Sequence, residues 1–232
     1  MGLREARHRL AVASEEGDGK ILVGLSGGKD SLTTLDLVLA SGLFARVEAF
    51  FMYFVRGLRC VEAPVELAQR RHPGLVIHHV PHYALANALR GGLFRPHLNA
   101  TADWRTTSIK DVEEQLRKKT GIEWLAYGHR MDESSQRRGM LKAIDGVDRN
   151  RRQVYPICDW HNKDVFAYLR MRHIPMPSTL GAMGTNSGMD LRASTLAWMA
   201  ENHPDDYARV LEVFPYAGAQ LARRAFYGDK AP

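Results

Sequence analysis

The spacing of apolar residues alternates between the 3.6-residue period of an amphipathic helix and short unbroken runs of strand type. Leu3, Ala6, Leu10 and Ala13 share one side of a predicted helix over 3–16, which Gly17-Asp18-Gly19 ends. The run 21–25 predicts a first strand and 31–41 its crossover helix, closed by Gly42. Residues 47–55 form a nearly continuous apolar run, as in a buried parallel strand. A helix over 61–71 stops at His72-Pro73-Gly74. A third strand over 75–80 and a helix over 83–90, broken by Gly91-Gly92, follow. Residues 91–107 are expected to be irregular. The helix over 108–120 has Ser108 as cap, Asp111 at its third position and Gly121 after it. A fourth strand over 124–127 ends in Gly128, a helix covers 133–142, and 145–152 is rich in turns and charge. Residues 154–158 lead into a helix over 162–172. After a Gly-, Ser- and Asn-rich loop at 178–192, helices are expected at about 193–202, 204–213 and 216–226.

Strands alternating with helices imply an α/β fold: a doubly wound, mostly parallel sheet with right-handed crossovers. A small helical C-terminal region is expected beside it. The expected division is an α/β domain over 1–177, including the helix at 3–16, and a loop and helical region over 178–232. With 232 residues, 45% of them hydrophobic, the chain can bury one sizeable core.

The first strand runs straight into Ser26-Gly27-Gly28-Lys29-Asp30-Ser31, and the helix follows at once. Two glycines let backbone approach an anion with no Cβ in the way. The free N–H groups of the first helical turn point at that anion, and the helix dipole adds about half a positive charge. Ser26 and Ser31 can donate hydroxyl hydrogen bonds, and Lys29 adds a point charge. Ligands of open α/β sheets bind at the carboxyl ends of strands, where this turn lies. The spacing excludes G-x-x-x-x-G-K-[ST], because the first glycine would fall on Val23 and Asp30 follows the lysine. No G-x-G-x-x-G occurs.

Charge and cysteine usage narrow the picture. Lys and Arg number 32 against 26 Asp and Glu, a net charge of +6 that favours phosphate-bearing partners, nucleotide or nucleic acid. Cys60 and Cys158, the two cysteines, predict a reducing, cytoplasmic setting and exclude a four-cysteine cluster from one chain. The N-terminus has no apolar core of signal-peptide type, and the run 47–55, broken by Glu48, is far short of the roughly 20 residues that span a bilayer, so no membrane partner is expected.

The hexapeptide 26–31 after a buried strand resembles the PP-loop of the ATP pyrophosphatases, which cleave ATP between the α and β phosphates. A second segment runs from Tyr127 and Gly128 through His129 and Arg130 to Glu133, Ser134, Arg137 and Arg138. Gly128 would let backbone approach a ligand, and the arginines carry forks suited to phosphate or sulfate. Gly128, Arg130, Glu133, Ser134 and Arg137 are similar to the G-x-R-x-x-E/Q-S-x-x-R-like segment of one PP-loop branch. That branch contains the phosphoadenylylsulfate (PAPS) reductases and the small subunit of bacterial ATP sulfurylase. Pro156, Asp159-Trp160, Asp164-Val165 and Tyr168 resemble its P-x-x-D-W-x-x-x-D-V-W-x-Y stretch. The likeness covers roughly residues 20–177.

The resemblance implies the adenine nucleotide alpha hydrolase-like fold, with ATP and Mg²⁺ as cofactors. It implies that Ser26, Gly27, Gly28, Lys29, Asp30, Ser31 and Gly128 bind the nucleotide. Lys29, Asp30, Arg130 and Arg137 would carry the chemistry, with the arginines on the α-phosphate or the acceptor's anion. Asp30 is a candidate Mg²⁺ ligand, or else an acid placed at a helix start by the dipole. Expected partners are a nucleotide substrate, nucleic acid and a sulfur-donor protein, in a homo-oligomer.

The activity implied is cleavage of ATP to AMP and pyrophosphate to activate an acceptor for sulfur transfer, with nucleic-acid phosphorothioation or thiolation as the sharpest form. The alternatives are a PAPS reductase or sulfate-adenylyltransferase-like enzyme, and a non-catalytic nucleotide-binding subunit. The reductases' tail cysteine has no counterpart in 217–232, and Asn186 to Arg192 stand where a cysteine-bearing segment would be expected. His72, His78, His79 and His82 lie close in sequence, but 78 and 79 point to opposite faces of a strand and make poor joint metal ligands. Cys60 follows the second strand, either as a persulfide carrier or as a half-buried thiol. Trp104 and Arg105 either stack on a base or pack, and Asn186 and Arg192 sit in a loop that closes over substrate or only connects.

Overall fold

Ile21, Leu22 and Val23 are fully buried, as are Ala49, Phe50 and Phe51, Leu125 and Ala126, and Val154. These are the centres of the strands that build the sheet. The computed structural model describes residues 2–96, 99–175 and 191–227. In chain order the elements are α1 (Leu3–Glu16), β1 (Lys20–Gly24), α2 (Lys29–Ser41), β2 (Arg46–Tyr53), α3 (Arg59–Arg71) and β3 (Val76–Pro81). Then come α4 (Tyr83–Arg90), α5 (Asn99–Ala102), α6 (Ile109–Thr120), β4 (Leu125–Ala126), a 3-10 turn (Met131–Glu133) and α7 (Ser135–Ala143). The last are β5 (Val147–Asp148), β6 (Gln153–Val154), α8 (Asn162–Met171), α9 (Ala193–Asn202), α10 (Pro204–Val213) and α11 (Ala219–Tyr227).

Among the described residues the sheet has six strands in the order β3-β2-β1-β4-β6-β5. β1 is parallel to β2 and β4, and β4 to β6. Only β5 is shown to run against its neighbour, β6. The expected doubly wound, mostly parallel α/β sheet is therefore present. The chain winds from β1 outward through β2 and β3, then returns to place β4 on β1's other side. The strand order thus reverses between β1 and β4, the place where open α/β sheets hold ligands.

Two compact units emerge. The first holds the described residues of Met1–Phe51, Pro64–His79 and Gln115–Pro177, and the second those of Met52–Ala63, Val80–Glu114 and Ser178–Pro232. The expected boundary at 177/178 lies outside the described residues. The second unit also draws on two earlier stretches because they bury apolar side chains with the C-terminal helices: Val55, Leu58 and Cys60 share a core with Leu196, Met199, Val210 and Phe214. There Asp206 caps α3, its carboxylate accepting the backbone N–H groups of Arg59 and Cys60 at 3.0 and 2.8 Å. This cap starts α3 two residues before the predicted position.

Other boundaries shift for local reasons. The helix expected from 133 begins at Ser135, because Ser134 caps it by accepting from the Arg137 N–H at 3.1 Å. The stretch 145–152 contains β5, too short to show alternation, and the irregular stretch 91–107 contains the single turn α5. In the first unit Arg9 of α1 donates to the Pro156 carbonyl and pairs with Asp159 at 2.8 Å and Asp145 at 3.4 Å.

Candidate functional site

β1 ends at Gly24, and α2 begins at Lys29, with Gly28 as an extended N-cap (φ −77°, ψ 161°). Gly27 takes φ +78°, a left-handed conformation that favours glycine. Lys29, Asp30 and Ser31 therefore form the first helical turn. Around it, the Ser31 hydroxyl donates to the Gly28 carbonyl at 2.9 Å and accepts from the Ser26 N–H at 3.2 Å. The Ser26 hydroxyl lies 3.2 Å from it. Ser26 is exposed, whereas Lys29 is only 3% exposed.

Lys29 Nζ lies 2.6 Å from Asp30 Oδ2. Arg130, which follows β4, puts Nε 2.8 Å from Asp30 Oδ1. One carboxylate therefore sits between two cations in a nearly water-free place. Arg130 is 1% exposed. Its other nitrogens donate inward, Nη1 to the Trp160 carbonyl at 3.2 Å and Nη2 to Asn162 Oδ1 at 2.8 Å. With Nε beside Asp30 and both Nη atoms bonded to the protein, the guanidinium here faces Asp30 rather than open space.

Gly128 is close to backbone, but to the protein's own. A Cβ there would stand 2.7 Å from the Asp30 carbonyl carbon and oxygen and 3.0 Å from the Ser31 nitrogen. The glycine thus seats the segment after β4 against the phosphate-type turn. Arg137 is nearer solvent, with its side chain 40% exposed and paired with Glu133. Glu133 in turn accepts the Arg130 N–H at 2.9 Å. Burial pushes the Glu133 carboxyl up, but these bonds and the Arg137 charge outweigh it and hold it below the usual range.

His129 stacks on Tyr127 and Tyr155, with ring centroids 5.3 and 5.6 Å away. Burial lowers its pKa to about 4, with Arg137 and Arg151 adding to the effect and Glu133 opposing it. A folded pKa below the unfolded value near 6.5 means that the unfolded chain binds the proton first as pH falls. This contribution is complete above about pH 6.5 and is lost between there and about pH 4. We expect His129→Phe to lose about 2 kcal/mol less stability than the wild type between pH 7 and 4.5. Denaturant unfolding at both pH values measures this, and equal losses would refute it.

The expected Mg²⁺ role of Asp30 does not fit this arrangement. Mg²⁺ is held by one or two carboxylates together with substrate phosphates. Asp30 already faces a lysine and an arginine, and a third cation would meet both. No group of three or more His, Cys, Asp or Glu side chains suited to a metal occurs among the described residues. His78 pairs with Glu48 at 2.6 Å, His79 packs edge-on against Phe51, and His82 caps α4. Cys60 is buried, and burial, then the Asp206 hydrogen bond, pushes its thiol up. Burial pushes the Cys158 thiol to about 11. Neither is a thiolate at neutral pH, so Cys60 does not suit a persulfide carrier. Trp104 is exposed, Arg105 pairs with Asp111, and Arg192 is the N-cap of α9. Asn186 lies outside the described residues.

Asn162 and the Trp160 carbonyl are functional candidates beyond those predicted. The sequence signal for them is that Trp160 belongs to the D-W pair of the 156–168 stretch and Asn162 follows it by two residues. No helix among the described residues is long and apolar enough to cross a membrane.

Two solved structures resemble the chain. One is the U34-tRNA thiolase NcsA from Methanococcus maripaludis with its [4Fe-4S] cluster: 14% identity, 94% of this chain and 78% of that one covered, TM-score 0.49. The other is PAPS reductase from Candida auris in a phosphate complex: 15% identity, 80% and 88% covered, TM-score 0.50. The second likeness concerns the fold. No curated protein matches by sequence. Residues 20–182 match the phosphoadenosine phosphosulfate reductase domain, and the chain belongs to that family.

Proposed function

We propose that the chain is an ATP-dependent, AMP-forming enzyme that activates an acceptor for sulfur transfer. An acceptor oxygen attacks the α-phosphorus of ATP; the new P–O bond forms as the bond to pyrophosphate breaks. A sulfur nucleophile then attacks the activated acceptor atom, and AMP leaves with the acceptor oxygen. The observation that carries this reading is the helix start at Lys29–Ser31, placed where the strand order reverses and wrapped by Gly27, Gly28 and the Ser26 and Ser31 hydroxyls. Such a turn offers backbone donors and the positive end of a helix dipole to β- and γ-phosphates. In this reading Lys29 neutralises charge on the departing pyrophosphate. Arg137 meets the α-phosphate or the acceptor's anion, and Arg130 acts through Asp30. Nucleic acid is the favoured acceptor because the chain carries a net charge of +6.

Membership of the PAPS reductase domain family favours a second reading, reduction of a sulfonucleotide. That chemistry needs a thiolate, and the two cysteines of this chain are buried with raised pKa values. The thiol would then come from outside these two cysteines, from a partner or a small-molecule reductant. The test is incubation with α-labelled ATP and Mg²⁺, with and without single-stranded and duplex nucleic acid, following AMP against ADP. AMP with pyrophosphate, stimulated by nucleic acid, is the expected result. ADP, or no AMP under any condition, would refute the first reading. Sulfite released from PAPS in the presence of added thiol would establish the second.

A further inference from the structure

Asp30 Oδ1 and Arg130 Nε are buried and have no hydrogen bond, although they lie 2.8 Å apart as an ion pair. The carboxylate's closer contact is to Lys29, at 2.6 Å. An entering polyphosphate competes for Lys29, and a buried carboxylate that loses its partner is strongly destabilising. Here a second cation already stands by, with an N–H that needs only a small turn to align on Asp30. What keeps that guanidinium in place is the pair of acceptors on its far side, the Trp160 carbonyl and Asn162 Oδ1.

We propose that Asn162 is a positioning residue for Lys29, acting through Arg130 and Asp30. By fixing Arg130, it gives Asp30 an alternative partner, so Lys29 can turn to an incoming polyphosphate. The proposal rests on the polyphosphate reading of the 26–31 turn. Asn162 is itself an exposed residue at the start of α8, so replacing it removes this bond without opening the core.

Calorimetric titration of inorganic pyrophosphate into the full chain, in metal-free buffer, tests the proposal. The proteins are the wild type, Asn162→Leu, Asp30→Asn and the double variant. Asn162→Leu is expected to weaken pyrophosphate binding about tenfold in the wild type and less than threefold in the Asp30→Asn background, because the amide leaves no buried charge to be caught. A purely structural role would lower melting temperature and affinity equally in both backgrounds, and that result overturns the proposal. So does unchanged affinity in Asn162→Leu, or loss of binding in Asp30→Asn alone. Asn162→Ala replaces Asn162→Leu if the leucine variant does not fold. A wild type that binds no pyrophosphate overturns the polyphosphate reading as well, an outcome distinct from the others.

Discussion

Lys29→Ala is expected to lower AMP formation by about a hundred- to a thousandfold, the usual effect of removing one preorganised group that meets charge developing in a transition state. The charge in question appears on pyrophosphate as the bond to the α-phosphorus breaks. The loss should fall mainly on kcat, because the serine hydroxyls, the helix N–H groups and the dipole still bind the ground-state nucleotide. The fold should persist. Lys29 is buried against Asp30, but Asp30 keeps Arg130 at 2.8 Å, so no isolated buried carboxylate results. Steady-state kinetics with a melting curve separate these effects. Turnover within threefold of the wild type, in a folded variant, would remove Lys29 from the chemistry and favour a subunit that only binds nucleotide.

The turn at 26–31 is legible from sequence because everything it does is local. A buried strand, two glycines and a helix start within a dozen residues leave the chain few options, and the structure places Lys29 in the first helical turn. β1 and β2 are legible for the same reason, since each is a compact apolar run, whereas the two-residue β5 is too short to leave a pattern. Arg130 is legible as a member of the site but not in its orientation. That depends on Trp160 and Asn162, about thirty residues later, where nothing in the sequence marks a contact. The same holds for Asp206 and Arg9, whose partners lie more than a hundred residues away. The mixed membership of the second unit follows suit, because apolar spacing shows which face of a helix is buried but not what covers it.

Gly128→Ala should be damaging both to the first unit and to the turn that carries the candidate site. Its new Cβ would meet the Asp30 carbonyl carbon and oxygen at 2.7 Å and the Ser31 nitrogen at 3.0 Å, all backbone atoms of a helix that no rotamer change can clear. Either β4 or the start of α2 must move. We expect a loss of about 2–3 kcal/mol, in the range of overpacked cores, and a fall of about 5–10 °C in melting temperature for a chain of this size. Activity should fall further than stability alone explains. The displaced atoms belong to the turn that carries Lys29 and Asp30, and misplacement of about 1 Å can cost a hundredfold in rate. Gly139→Ala, in α7, is the internal control: its Cβ would meet nothing within 4 Å, so the change should stabilise by about 0.5–1 kcal/mol through helix propensity. If Gly128→Ala melts and turns over like the wild type while Gly139→Ala behaves as stated, the close seating of β4 on the turn is not what shapes the site.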